Sequence, residues 1–125
     1  MTVRIFLASI GVMFVGFGLW SLLNPLHMTT NLGVEIGGAN GTFEMRGIFG
    51  GVSLGAAALC LAGAAKDHMV RPALWFLVAY MGGYCLARAA SVALGDLPEP
   101  ETWRFVAFEA VTLVIAILAL RHRAK

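Results

Sequence analysis

Residues 42–51 read Thr-Phe-Glu-Met-Arg-Gly-Ile-Phe-Gly-Gly and set two opposite charges, Glu44 and Arg46, at the entrance to a long apolar segment. That segment, residues 47–65, contains no charged side chain and falls within the length of about 17–25 residues that a helix needs to cross a bilayer. Charged groups beside lipid are costly unless they are paired. The stretch therefore predicts a membrane helix whose entrance charges have partners elsewhere in the chain.

The composition of the whole chain agrees with a membrane protein. Of its 125 residues, 59% are hydrophobic and 13% are charged, whereas about 25% of the residues in a soluble domain are charged. Four apolar segments stand out, at residues 3–23, 47–65, 72–94 and 103–120. We therefore predict an all-α fold with one transmembrane domain over residues 1–125, built as a four-helix bundle.

The connections between these segments differ in length. The long first loop, residues 24–43, is rich in glycine, and we assign it no regular structure beyond a short reentrant or interfacial piece. Asn40 or Thr42 is expected to cap the second helix, and Pro72 is expected in the first turn of the third. The third loop, residues 95–102, is short and acidic.

Basic residues are distributed unevenly over these loops. In a four-span chain the amino terminus, the second loop and the carboxyl-terminal tail lie on one side, and together they hold six of the nine Lys and Arg residues. Cytoplasmic loops of membrane proteins are enriched in such residues. Both termini are therefore predicted to be cytoplasmic, and the long 24–43 loop is predicted to face outward.

Two further charges lie inside later apolar segments. Arg88 precedes Leu94 by six residues, or about 9 Å along a helix. Glu109 lies a comparable distance into the fourth segment. Because the spans alternate in direction, these charges and those of Glu44 and Arg46 are all predicted in the outer half of the bilayer. Pairing of the two arginines with the two glutamates across helices is the simplest arrangement, and the sequence leaves open which pairs with which.

Helical spacing places more polar side chains on the faces that carry these charges. On the third segment they recur every three or four residues, and on the fourth a threonine follows Glu109 by three. The candidate ligand-binding or ion-pair site comprises Glu44, Arg46, Tyr80, Tyr84, Arg88, Ser91, Glu109 and Thr112. We predict no catalytic residues and no metal site, because the three histidines stand singly and lack ligand spacing.

Small residues predict where the helices approach one another. Gly47, Gly51 and Gly55 form a repeated GxxxG pattern, and Ala79, Gly83, Ala87 and Ser91 form a second small-xxx-small pattern. We expect these two faces to provide the closest helix contacts.

Two explanations of the charge cluster remain open at this point. It can be a paired network that fixes the register of the helices. It can instead be a binding or relay site, which is the default hypothesis because ionisable residues inside a membrane are costly and often functional.

Several motifs resemble those of a family of small bacterial four-span proteins. They are Leu22-Leu23-Asn24-Pro25 followed by Gly33, the FEMRGIFGG stretch, CLARAASVALGDLPEPE at residues 85–101, and a glutamate within the fourth span. That family is defined as a domain of unknown function and is similar to the DoxX-like membrane proteins. The resemblance implies a multi-pass four-helix bundle in the bacterial inner membrane. The order Gly95-Asp96 departs from the Asp-Gly order that the resemblance suggests.

The expected function follows from the site and from the resemblance together. We expect a small inner-membrane protein that binds an amphipathic, lipid-like or quinone-like ligand, or that acts as an accessory subunit. The quinone rests on the resemblance, because some DoxX-like proteins are linked to quinone-coupled oxidation; no other cofactor is predicted. Expected partners are membrane lipids and a membrane protein or a second copy, but no nucleic acid, since the net charge of +2 is small. A small-solute transporter is the alternative.

Overall fold

Helix α1 covers Thr2–Leu23 in the computed structural model of the chain, which describes residues 2–123, with side chains from residue 2 to residue 122. A short helix α2, Pro25–Asn31, follows after a single residue. Helix α3, Gly38–Met45, continues without a break into a π-helical segment, Arg46–Gly51, and then into α4, Val52–Ala65. These elements therefore form one continuous helix from Gly38 to Ala65.

The remaining chain is built from two more long helices. Helix α5 covers Asp67–Leu94, and after a loop and a 3₁₀ turn, Pro100–Thr102, helix α6 covers Trp103–Arg123. Residues 2–123 contain no β-strand, so the predicted all-α class is confirmed.

Four helices are long and apolar enough to cross a membrane, one for each apolar segment of the sequence. They are Thr2–Leu23, Gly38–Ala65, Asp67–Leu94 and Pro100–His122. This is the composition of a multi-pass membrane protein.

Two helices begin earlier than the sequence predicts. The second begins at Gly38, so the capping role expected for Asn40 or Thr42 is wrong: the residue before the helix is Gly37, and the Thr42 hydroxyl donates to the Gly38 carbonyl at 3.2 Å. Glycine, asparagine and threonine have low helix propensity, which is why the sequence did not indicate a helix over these residues. The third begins at Asp67, so Pro72 lies inside it and not in its first turn.

The chain divides into two compact units at the Val70–Arg71 boundary. In the first unit, α1 packs closely on the π segment and on α4. A Cβ atom added at Gly18 would lie 2.9 Å from the Leu54 side chain and 3.1 Å from the Gly50 carbonyl, and one at Gly50 would lie 2.8 Å from Leu22. One at Gly11 would likewise lie 2.8 Å from the Leu61 side chain. A larger residue at any of these three positions would force the neighbouring leucine to move, so these glycines allow the two helices to pack closely.

The glycine pattern predicted for this contact is wrong. Gly47, Gly51 and Gly55 are all exposed, and no side chain of the described residues lies within 4 Å of a Cβ added at Gly47 or Gly55. The buried residues of this helix follow α-helical spacing on a neighbouring face, at Gly50, Ser53, Ala56, Ala57, Cys60 and Gly63. Small residues occur on several faces of the helix, so the sequence alone did not single out the face that packs.

In the second unit, α5 and α6 are antiparallel neighbours joined by residues 95–102. The contact uses Gly82, where an added Cβ would lie 3.9 Å from the Leu113 side chain. The second predicted ridge is therefore also wrong, because Ala79, Gly83 and Ala87 are exposed. The buried apolar residues follow helical spacing on a different face, at Ala73, Leu74, Leu77, Met81, Ala116 and Ala119.

Candidate functional site

Arg88 of α5 and Glu109 of α6 form an ion pair with two hydrogen bonds. The Arg88 Nε donates to Glu109 Oε2 at 3.3 Å, and the Arg88 Nη2 donates to Oε1 at 3.2 Å. The Glu109 side chain is 9% exposed, whereas that of Arg88 is 42% exposed. Because two parallel bonds fix the plane of a guanidinium, a buried carboxylate holds this arginine in one orientation while part of it stays open.

Three aromatic side chains on α5 lie in successive contact next to Arg88. The Arg88 guanidinium carbon lies 5.7 Å from the centre of the Tyr84 ring, within reach of a cation–π interaction. Tyr84 meets Tyr80 edge to face at 5.2 Å, and Tyr80 stacks on Phe76 at 5.3 Å. The four residues are spaced four apart, so they occupy adjacent positions on one helix face. The predicted polar face of this helix is thus a continuous column of contacts.

Thr112 and Ser91 lie next to the ion pair but differ in their exposure. Thr112, about one turn beyond Glu109 on α6, is buried. Ser91, about one turn beyond Arg88 on α5, is half-buried and borders a cavity. A hydroxyl at Ser91 is therefore available to a molecule in that cavity, whereas Thr112 belongs to the interior.

The cavity lies where α5, the 95–102 loop and α6 meet. Its volume is about 360 Å³, at the lower end of the range of about 300–1,000 Å³ found for small-molecule sites. We call it the loop cavity. Polar and apolar side chains both line it: Arg88, Ser91, Val92, Asp96, Leu97, Pro98, Thr102, Trp103 and Val106.

The end of α5 gives the loop its shape. Gly95 has φ +94°, a left-handed conformation that glycine adopts without strain. Its N–H donates to the Val92 carbonyl at 3.1 Å, and the Asp96 N–H donates to the Ser91 carbonyl at 2.9 Å. This pair of bonds is a Schellman motif, in which the left-handed residue, usually glycine, comes directly after the helix. The order Gly95-Asp96 is thereby explained, and the motif sets Asp96 at the cavity wall.

The charges around the loop cavity leave it without net positive character. The guanidinium of Arg88 carries the positive charge at the wall, and it is already paired with Glu109. The Asp96 carboxylate adds a negative charge on the lining. A bound anion would meet Asp96 while competing with Glu109 for Arg88, so the cavity suits an uncharged polar group better.

Glu44 and Arg46 belong to the first unit and form no ion pair with each other. The Arg46 Nε donates to the Leu22 carbonyl at 3.1 Å, near the carboxyl end of α1, where backbone carbonyls lack partners within the helix. A positive charge is favourable at this position. Glu44 is exposed and makes no ion pair within residues 2–70. Arg46 therefore caps α1, a role that its sequence position did not reveal.

Seven of the nine residues that line the loop cavity were not among the predicted site residues, and three of them, Asp96, Thr102 and Trp103, carry polar groups. They come from the loop and the start of α6. The sequence suggested a turn at Asp96, an interfacial anchor at Trp103 and, for Thr102, only a place on the same helix face as Glu109. The signal that could have located Asp96 is the glycine before it, since a helix ending in glycine folds the next residue back over its last turn. No cluster of three or more metal-ligating side chains is found within the described residues.

Four long apolar helices have the features of a multi-pass membrane protein, and an arginine–glutamate pair joins two of them. The chain belongs to the family described as "Domain of unknown function (DUF4345)", whose model matches residues 2–120. Membership of a family of unknown function, expected from the sequence motifs, is thus confirmed. No curated protein and no solved structure matches the chain.

Proposed function

We propose that this protein is a bacterial inner-membrane protein that binds the uncharged polar head of an amphipathic molecule in the loop cavity. A quinone or a lipid with a hydroxyl or carbonyl head has the required chemistry. The observation that carries the proposal is an arginine fixed by a buried glutamate and partly open toward a cavity.

Arg88 supports the proposal through its unused hydrogen-bond donors. A guanidinium carries more N–H groups than Glu109 engages, and the side chain is 42% exposed. Because Glu109 fixes its plane in advance, a ligand would lose little entropy in ordering the donor. Ser91 and Thr102 supply hydroxyl groups on the same lining. A carbonyl oxygen would accept from the arginine, and a hydroxyl head could also donate to Asp96.

The apolar part of the lining supports a ligand with a hydrophobic portion. Val92, Leu97 and Val106 border the cavity together with the Trp103 ring. Small-molecule sites commonly combine such a lining with a few polar groups that fix orientation. A molecule dissolved in the bilayer could reach the site without crossing an aqueous phase.

The membrane location and the orientation belong to the same proposal. Six of the nine Lys and Arg residues lie on the side of the termini and the second loop, which favours cytoplasmic termini. The loop cavity would then open toward the outer half of the bilayer. The sequence motifs resemble those of a small bacterial four-span family that we place near the DoxX-like membrane proteins, and this placement favours the bacterial inner membrane and a quinone as ligand.

Trp103 provides a direct test, because it lines the cavity and benzoquinones quench indole fluorescence. A variant with Trp20 and Trp75 changed to phenylalanine would retain Trp103 alone. Titration of this protein in detergent with a short-tail ubiquinone analogue should quench Trp103 with a saturable binding curve. Saturation distinguishes a site from random collisions, which quench without limit.

Two substitutions connect the binding to the named residues. Arg88→Gln should weaken binding about tenfold or more, since hydrogen bonds to a charged group contribute about 1.5–3 kcal/mol. Ser91→Ala, which leaves the ion pair intact, should weaken binding about threefold. Ser9→Ala, at an exposed position of α1, serves as the matched control. Non-saturable quenching in the parent variant, or equal losses for Ser91→Ala and Ser9→Ala, would contradict the proposal and favour a network that only fixes helix register.

A further inference from the structure

A second groove lies in the same unit, at the end opposite the 95–102 loop. Its volume is about 240 Å³, and we call it the terminal groove. Helix α5 contributes residues from its second turn onward, and α6 contributes residues from its last turns. The lining is Arg71, Trp75, Val78, Ile117, Leu120 and Arg121.

The two arginines of the terminal groove lack acidic partners in their unit. Within residues 71–122 neither Arg71 nor Arg121 forms an ion pair, and both are exposed. Asp67 stands four residues before Arg71 on the same helix, a spacing at which opposite charges attract. Its carboxylate is bound by Arg4 at 2.9 Å instead. The groove therefore carries two positive charges that no carboxylate within residues 71–122 offsets by an ion pair.

The surface between the two arginines is apolar. Val78, Ile117 and Leu120 line it, and the Trp75 side chain stands 55% exposed at its side. Tryptophan is enriched where membrane proteins meet the head-group region. A small soluble anion would contact the guanidinium groups but would leave this apolar surface uncovered.

We propose that the terminal groove binds one anionic glycerophospholipid. Its phosphate lies between Arg71 and Arg121, and the first part of one acyl chain lies along Val78 and Ile117 beside the Trp75 ring. Basic pockets between membrane helices bind anionic head groups in this way. The groove is smaller than the roughly 300 Å³ at which sites for whole small molecules begin, which fits a lipid that is held at one end while its remaining chain stays in the bilayer.

Native mass spectrometry of the full chain in detergent tests this inference with defined lipids. Phosphatidylglycerol and phosphatidylcholine with identical acyl chains would be added at equal concentration. We expect one phosphatidylglycerol to be retained and phosphatidylcholine to bind at least about tenfold more weakly. In the double variant Arg71→Gln/Arg121→Gln the affinity for phosphatidylglycerol should fall about 30-fold, the loss expected for two arginines at a membrane surface.

The matched control is Arg104→Gln, which removes an exposed arginine from α6 outside the groove. It should leave the retained lipid unchanged, and circular dichroism of each variant checks that it is folded. Equal binding of the two lipids, or an equal loss in Arg104→Gln, would overturn the inference. Displacement of phosphatidylglycerol by millimolar inorganic phosphate would also overturn it, since the site would then recognise a free anion and not a lipid.

Discussion

At one end of the α5–α6 unit a buried carboxylate holds Arg88, whereas at the other end Arg71 and Arg121 line a groove with no acidic partner in residues 71–122. Both ends carry arginines, but only Arg88 is paired with a carboxylate. Arg88 is part of the fold, because Glu109 would be left buried and unpaired without it. Arg71 and Arg121 contribute charge to a surface and nothing to an internal network.

The two ends should therefore respond to opposite properties of a ligand. The loop cavity has its positive charge offset by Glu109 and a further carboxylate at Asp96, which favours an uncharged head. The terminal groove has two arginines over an apolar lining, which favours an anion attached to a chain. We propose that local charge balance, and not the presence of arginine, decides what each site accepts.

Glu109→Gln should have the largest effect on stability, because it removes the carboxylate that pairs with Arg88. That ion pair is what distinguishes the loop cavity from the terminal groove. We expect a loss of about 2 kcal/mol in the free energy of unfolding, below the roughly 3–5 kcal/mol for one member of a fully buried pair, since Arg88 is partly open. The measurement is unfolding by sodium dodecyl sulfate in mixed micelles, followed by circular dichroism. Glu101→Gln, at an exposed acid before α6, is the control and should change little.

A double-mutant cycle sharpens the same point. Combining Arg88→Gln with Glu109→Gln should restore part of the stability that either change removes, with a coupling of about 1 kcal/mol or more. Additive losses would mean that the two side chains do not stabilise each other, and the contrast between the ends would fail.

Asp96→Asn should make the loop cavity bind anionic amphiphiles better, as we propose for the terminal groove. Removing this carboxylate takes a negative charge from the lining while leaving the Arg88–Glu109 pair in place. Binding of a carboxylate-headed amphiphile, measured by quenching of Trp103 with a spin-labelled fatty acid, should improve about fivefold, equivalent to a charge interaction of about 1 kcal/mol. Glu99→Gln, a nearby acid outside the lining, should leave the affinity unchanged. An equal affinity before and after Asp96→Asn would show that charge balance does not select the ligand.

Arg71→Gln/Arg121→Gln should have the smallest effect on stability. Exposed residues outside a network typically change the free energy of unfolding by about 0.5 kcal/mol or less. The same unfolding assay in lipid-free detergent checks this, because bound lipid would itself stabilise the folded state. A loss comparable to that of Glu109→Gln would mean that these arginines stabilise the fold as Arg88 does, and the two ends would then not differ.

The sequence predicted the helical class and the four apolar segments because length and hydropathy are properties of single segments. It also indicated that Arg88 and Glu109 need partners, since charges are costly among apolar residues. It could not choose between the available pairings. Arg46 donates to the backbone carbonyl of Leu22. Because every residue has a backbone carbonyl, a sequence pattern cannot indicate such a partner.

The packing faces were harder to predict for a different reason. Gly47, Gly51 and Gly55 satisfy a known small-residue pattern, yet Gly11, Gly18 and Gly50 make the close contacts. Small residues occur on several faces of the second long helix, and the sequence does not show which of these faces meets another helix. Asp96 was not predicted at the cavity wall because its position depends on the left-handed turn at Gly95.

The most direct test of the charge-balance account uses two single-tryptophan variants in the same membrane. One retains Trp103 in the loop cavity and the other retains Trp75 in the terminal groove, each with the remaining two tryptophans changed to phenylalanine. Vesicles of phosphatidylcholine would contain either a short-tail ubiquinone analogue or phosphatidylglycerol with brominated chains. We expect a crossover, in which the quinone quenches Trp103 more than Trp75 and the brominated anionic lipid quenches Trp75 more than Trp103. The same order of quenching at both tryptophans would contradict the account.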